Sequence, residues 1–211
     1  MKYHWLFSLL VMAFMSVTTH ADSLPINQIP MYGEREKSDL MKQADAALIA
    51  AIKLQGLSKE DGAKQLVRSA WSYWAKKDYA TAIKRFNQAW LLDPENGDAY
   101  HGFALITSVH DGSPDEVERF FKLAVSKTTV YANAFVDYGR FLWTQKRFEQ
   151  SLVQLNKALQ MSSTARNARS NISFVYYLKS DFGNACIWAK DAEKNGDELE
   201  QGYLQDMCSH G

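Results

Sequence analysis

Apolar residues along most of this chain recur three and four places apart, the spacing of one helix face, and no stretch sustains the residue-by-residue alternation of a half-buried strand. The spacing predicts a helix over "EREKSDLMKQADAALIAAIKLQG", with Leu40, Ala44, Ala47, Leu48, Ala51 and Leu54 on one face and Gly56 as its stop. Ser58, with Asp61 following it in a capping-box arrangement, starts the next helix. The runs "AKQLVRSAWSYWAKKD" and "YATAIKRFNQAWLLDPEN" are separated by only a few residues around Lys77 and Asp78, so they pair as antiparallel neighbours. Ahead of them, residues 22–33, "DSLPINQIPMYG", hold two prolines and a glycine and predict an extended leader. The chain is therefore predicted to be all-α.

The helical pattern also repeats. Counting back from Pro94, Leu66, Ala70, Tyr73, Tyr79, Ala82, Phe86 and Ala89 interleave large residues with small ones. The same offsets return as Phe135, Gly139, Leu142, Phe148, Ser151, Leu155 and Ala158, and again as Arg169, Ser173, Tyr176, Phe182, Ala185, Ala189 and Ala192. Tyr100, Ala104, Thr107, Val117, Phe121 and Ala124 fit once a residue is inserted in the loop "HDGSPDE". There Ser113 can cap, Pro114 takes the first helical position and Glu116 completes a capping box. Small residues let paired helices approach, large ones fill the gaps, and each pair leaves an apolar side that only another pair covers.

This pattern resembles the tetratricopeptide-repeat family. Residues 63–96 carry the resemblance most fully, through Ala70, Tyr73, Ala82, Phe86, Ala89 and Pro94; 132–165 carry it well, and 97–131 and 166–196 are degenerate. The resemblance implies a right-handed superhelix of stacked antiparallel helix pairs, about four repeats within 58–196. The N-terminal capping helix then follows the leader within 22–57, and 197–211 supply a short, solvent-facing C-terminal capping helix, "DELEQGYLQDMC". Trp90, on a second helix, is assigned to packing. The chain is also similar to small exported bacterial proteins of this family with the same "MYG" leader.

In such proteins the concave surface comes chiefly from the first helix of each pair. Carried over by position, this gives Lys64, Val67, Trp71 and Trp74, then His101, Leu105 and Ser108, then Asn133, Val136, Arg140 and Trp143, and finally Asn167, Ser170, Phe174 and Tyr177. Aromatic and arginine side chains are the usual anchors of binding surfaces. The candidate contacts for a protein or peptide partner are Lys64, Trp71, Trp74, His101, Asn133, Arg140, Trp143, Asn167, Phe174 and Tyr177. Two alternatives stand beside this: the rings are buried between helices, or the leader, with Met31 and Tyr32, fills the groove itself. Some family members hold a terminal carboxylate with a lysine-and-asparagine clamp. The corresponding places here carry Val67, Trp71, Gly102 and Asp137, and only Asn133 fits, so that clamp is not predicted.

The N-terminus changes the picture of where this happens. "MKYHW" with Lys2, the apolar run "LFSLLVMAFMSV" and the small residues of "TTHA" predict a signal peptide over 1–21, cleaved after Ala21, and export to the periplasm; a membrane anchor is the alternative. No other segment is predicted to span a membrane. The formal net charge is zero over 211 residues, which argues against a nucleic-acid partner. In an oxidising compartment Cys186 and Cys208 are predicted to form a disulfide. A zinc site needs more ligands than the nearby His210, and a redox pair is usually more closely spaced. If the chain folds back near Gly196, helical pitch brings the two cysteines level, stapling the cap to the last repeat.

No G-x-S-x-G, H-E-x-x-H, glycine-rich phosphate loop or closely paired cysteine motif is present, and His101, His110 and His210 are far apart in sequence. No catalytic residue, metal or cofactor is predicted. The expectation is an interaction module of the bacterial cell envelope. A structural subunit or assembly factor of an envelope machine, such as a secretion or pilus system, is the alternative, and an enzyme is disfavoured.

Overall fold

The computed structural model describes residues 24–209; the predicted signal peptide at 1–21 and His210 lie outside them. Its helices are α1 (Asp39–Leu54), α2 (Lys59–Ala75), α3 (Tyr79–Leu92), α4 (Gly97–Val109), α5 (Pro114–Ser126), α6 (Ala132–Thr144), α7 (Phe148–Met161), α8 (Ala168–Leu178), α9 (Phe182–Lys194) and α10 (Tyr203–Cys208). Among the described residues there is no strand, only an isolated bridge between Asn96 and Thr129.

Tight turns fold the chain into pairs. After α2 the Asp78 N–H donates to the Tyr73 carbonyl at 3.0 Å, with Lys77 left-handed at φ 61°. The same closure follows α6, from Arg147 to Leu142 at 3.0 Å past Lys146, and α8, from Asp181 to Tyr176 at 2.9 Å past Ser180. These are Schellman closures made without glycine. Asp78 and Asp181 then cap the following helices by accepting the N–H of Thr81 and Asn184. The α4–α5 turn is longer, and there Ser113 caps α5 with Pro114 in its first turn.

Small residues sit where helices meet. Ala70, Ala82 and Ala89 are fully buried, and a Cβ added at Gly102 would come within 2.4 Å of the Phe86 ring. In the later pairs a buried hydroxyl crosses the contact: Ser151 donates to the Gly139 carbonyl and Ser173 to that of Ala185, each at 2.7 Å. The pairs stack so that α2, α4, α6 and α8 line one side, and continuous apolar clusters run between them. On α5, Glu118 receives both Arg147 nitrogens, at 2.6 and 2.9 Å, and the Tyr138 hydroxyl at 3.0 Å, tying α5 to α6 and α7. The Arg147 guanidinium holds that carboxyl down to about 2.

Both ends differ from the sequence expectation. Helix α1 forms, but Leu40 and Leu54 are 76% and 88% exposed, and the helix is anchored by Ile52, with Leu48 and Ile49, against Ala63, Val67 and Leu92. Only its C-terminal part meets the stack, so the apolar spacing predicted the helix but not its buried face. The leader is not extended. It forms two 3-10 turns, Ile26–Gln28 and Pro30–Glu34, with Met31, Tyr32, Gly33 and Glu34 left-handed in succession, at φ between 52° and 66°. Tertiary contacts hold this conformation. Asn87 of α3 donates to the carbonyls of Asn27 and Ile29 at 3.1 and 2.9 Å. Tyr32 is buried against Trp90, the Lys37 ammonium lies 3.6 Å from the Tyr32 ring centre, and Glu34 pairs with Arg119 of α5 at 2.8 Å. The leader is thus a strap across α3, on the side away from α2, α4, α6 and α8.

At the other end the predicted capping helix is only the six residues of α10, bonded to α9 through the Cys186–Cys208 disulfide, with Met207 buried against Ala185 and Ala189 and Gln205 and Asp206 exposed. Asp197 folds over α8 and accepts the N–H of Asn167 at 3.1 Å and of Ser170 at 2.9 Å, so a distant carboxylate caps that helix. The Tyr203 hydroxyl donates to the Ser170 carbonyl at 2.7 Å, and Glu198 pairs with Arg166.

Candidate binding groove

The inner helices carry their rings one or two turns apart, and the stacking opens two recesses between them. The N-terminal recess, of about 680 Å³, is lined by Trp71 and Trp74 of α2, His101 and Leu105 of α4, and Tyr131, Asn133 and Asp137 at α6, with Ser162 and Thr164–Arg166 closing one side. Trp71 stands edge-on to Trp74 and to Phe86, with ring centres 6.3 and 4.9 Å away, and tilts over His101 at 4.9 Å. His101 Nε2 lies 2.9 Å from Asp137 Oδ2. Asp98 accepts the Tyr131 N–H at 2.9 Å, positioning the edge of the recess, while burial pushes the Asp98 carboxyl up from its ordinary range.

The C-terminal recess, also about 680 Å³, is lined by Arg140 and Trp143 of α6, by Asn167, Phe174 and Tyr177 at α8, and on its far wall by Glu198–Glu200, Tyr203, Asp206 and Met207. Trp143 is edge-on to Phe174 at 5.1 Å, and Phe174 lies nearly parallel to Tyr177, at 13° and 6.4 Å between centres. Burial raises the Tyr203 phenol above its ordinary value. Arg140, 3.8 Å from Asp137, stands between the two recesses. The Trp143 indole N–H is buried without a hydrogen-bond partner among the described residues.

The predicted site residues therefore divide. Trp71, Trp74, His101 and Asn133 come together in the first recess, and Arg140, Trp143, Asn167, Phe174 and Tyr177 in the second. Lys64 joins neither; it lies near the start of α2, exposed, and pairs with Asp61 at 3.2 Å. His101 is only 3% exposed because Asp137 and the ring of Trp71 enclose it, so it supports the wall more than it faces a ligand. Val67 and Val136, at concave positions of the repeat, are buried in the core. Trp71, Trp74, Trp143, Phe174 and Tyr177 are part-buried: each keeps an open side as well as a packed one. Trp90 is indeed a packing residue, its indole donating to the Tyr100 hydroxyl at 2.9 Å beneath the strap.

Sequence reasoning missed the far wall of the second recess. Its residues lie about thirty positions from the helix they cover, and the cysteine pair was the signal that the segment returns. Among the described residues no helix is long and apolar enough to cross a membrane.

No protein-family model and no curated relative matches this sequence. Solved structures do match. PilF of Pseudomonas aeruginosa superposes with a TM-score of 0.64 at 17% identity, over 72% of this chain and 69% of that one. PilW, described as a widely conserved type IV pilus biogenesis factor, gives 0.58 at 18% identity over 80% and 77%. YrrB, described as a TPR protein with an unusual peptide-binding site, gives 0.52 at 19% identity over 71% and 75%. At such identities the likeness is one of fold: the chain is a tetratricopeptide-type helical-repeat solenoid.

Proposed function

We propose that this chain is a protein-interaction module of the bacterial cell envelope that takes an extended peptide or a helix of a partner in its concave groove. One observation carries the proposal. The leader, the chain's own best candidate to fill the groove, packs on α3 instead and leaves the inner rings with open faces over two recesses. Part-buried aromatic side chains with an arginine and amides among them are the composition of interface hot spots. The peptide-binding description of YrrB supports a groove role. Signal cleavage after Ala21 would place the module in the periplasm, without a cofactor or catalytic residue.

The likeness to PilF and PilW favours a second reading, in which the chain is a structural subunit or assembly factor of an envelope machine. Photo-crosslinking amino acids at Asn133 and Arg140, compared with Val153 and Ile187 on the outer helices, test the groove in cells. Discrete adducts from the groove positions, lost in Trp71→Ala or Trp143→Ala chains that remain folded, are the expected result. Adducts from the outer positions alone would overturn it and favour the structural subunit, which light scattering would then find as an obligate oligomer.

A further inference from the structure

The two recesses have similar volumes but different charges. In the first, Asp137 is met by His101 and Arg140, and Arg166 is met by Glu198. The second carries Glu198, Glu200 and Asp206 on its far wall against Arg140 alone. Arg140 already has Asp137, and Glu198 already has Arg166. Glu200 and Asp206 have no ion-pair partner among the described residues. They face a floor of Trp143, Phe174 and Tyr177, rings whose faces attract cations. Rings on one side and unpaired carboxylates on the other form an environment complementary to a positive side chain with an apolar stem.

The wall that supplies the carboxylates is fixed. The Cys186–Cys208 disulfide bonds α10 to α9, Asp197 caps α8, and Tyr203 donates to the Ser170 carbonyl. A wall fastened at three places loses little freedom when a ligand enters, and such preorganisation favours binding.

We infer that the C-terminal recess receives a basic segment of the partner protein, seating a lysine or arginine side chain over Trp143, Phe174 and Tyr177 with its charge directed at Glu200 and Asp206. The inference rests on the groove reading and assigns the chemistry of its ligand at one end.

The test uses the intact oxidised protein and two fluorescein-labelled peptides, one bearing lysine and arginine among alanine and glycine, the other with glutamate at the basic places. Anisotropy should find the basic peptide bound about ten-fold more tightly, with the difference shrinking as salt rises. Glu200→Gln combined with Asp206→Asn should remove most of that difference. Cys186→Ser combined with Cys208→Ser, which frees the wall, should weaken the basic peptide to a similar degree. Trp71→Ala, in the other recess, should leave the preference in place. Equal affinity for the two peptides, or a preference unchanged by the Glu200 and Asp206 substitutions, overturns the inference. If both peptides bind equally and Trp143→Ala abolishes both, the groove reading survives and only the basic preference falls. If neither binds, the inference fails, and the crosslinks from Asn133 decide the groove separately.

Discussion

The strap at the N-terminal end crosses the outer surface and is held by hydrogen bonds from Asn87, a buried tyrosine and an ion pair. The segment at the C-terminal end turns inward and is held by a disulfide and a carboxylate cap. Both cover a part of the solenoid that stacking alone leaves open, which is what terminal elements of a repeat array must do. Their positions have different consequences. The outer strap stabilises the first two pairs while leaving the groove clear. The inner segment stabilises the last pair and also becomes a wall of the groove. One end is closure alone, and the other is closure that also walls a recess.

The largest test of this contrast is the disulfide. Replacing both cysteines by serine releases a loop with a sequence separation of 22 and should cost about 3 kcal/mol by chain entropy, measured by urea unfolding. In a repeat array the loss should be local. Hydrogen exchange should accelerate in α9, α10 and the N-terminus of α8, with α2–α5 unchanged. Uniform acceleration would show that the C-terminal end holds the whole stack.

Next comes Asn87→Ala, which leaves the Asn27 carbonyl without its donor and the Ile29 carbonyl with only the Tyr32 N–H, and should cost about 2 kcal/mol. Limited proteolysis should then cut within 30–38 while the repeats stay intact. Continued protection would assign the strap's attachment to Tyr32 and Trp90.

These contrasts bear on what the sequence could show. The alternation of Ala70, Tyr73, Ala82 and Phe86 is a local packing code, so the stacked pairs were legible from spacing. The left-handed turns at Lys77, Lys146 and Ser180 were not, because only their hydrogen-bonded closure, and no glycine, marks them. Pro25 and Pro30 suit both an extended segment and the start of a 3-10 turn, so the leader's conformation is not legible locally. The choice between them is made by Asn87, about sixty residues away. Repeat position found the groove rings on the inner helices, but could not show that Asp137 would draw His101 inward or that Lys64 would stand clear. The acidic wall depends on Asp197 reaching the N-terminus of α8, a contact that no local pattern encodes.

A smaller effect is expected from Asp197→Ala. It leaves the N–H groups of Asn167 and Ser170 without their acceptor and should cost about 1 kcal/mol, the usual worth of an N-cap. Because Asn167 is itself left-handed and offers no side-chain cap of its own, no local group takes over. The indole N–H resonance of Trp143, near the wall, should shift in this variant and stay constant in Asn87→Ala. If both variants change it, the two ends are coupled through the stack.

The smallest expected effect separates the two kinds of attachment most cleanly. Glu34 and Arg119 join the strap to α5, but their side chains are 55% and 46% exposed. Exposed pairs gain little over water and are screened by salt, so a double-mutant cycle of Glu34→Gln with Arg119→Ala should give a coupling of no more than about 0.5 kcal/mol. The strap should then remain protected from protease in high salt, where surface pairs weaken and the Asn87 bonds do not. A coupling well above that value would mean that the ion pair fixes the left-handed run from Met31 to Glu34. The N-terminal closure would in that case depend on surface charge, and raising the salt would loosen the outer strap while leaving the disulfide-bonded wall in place.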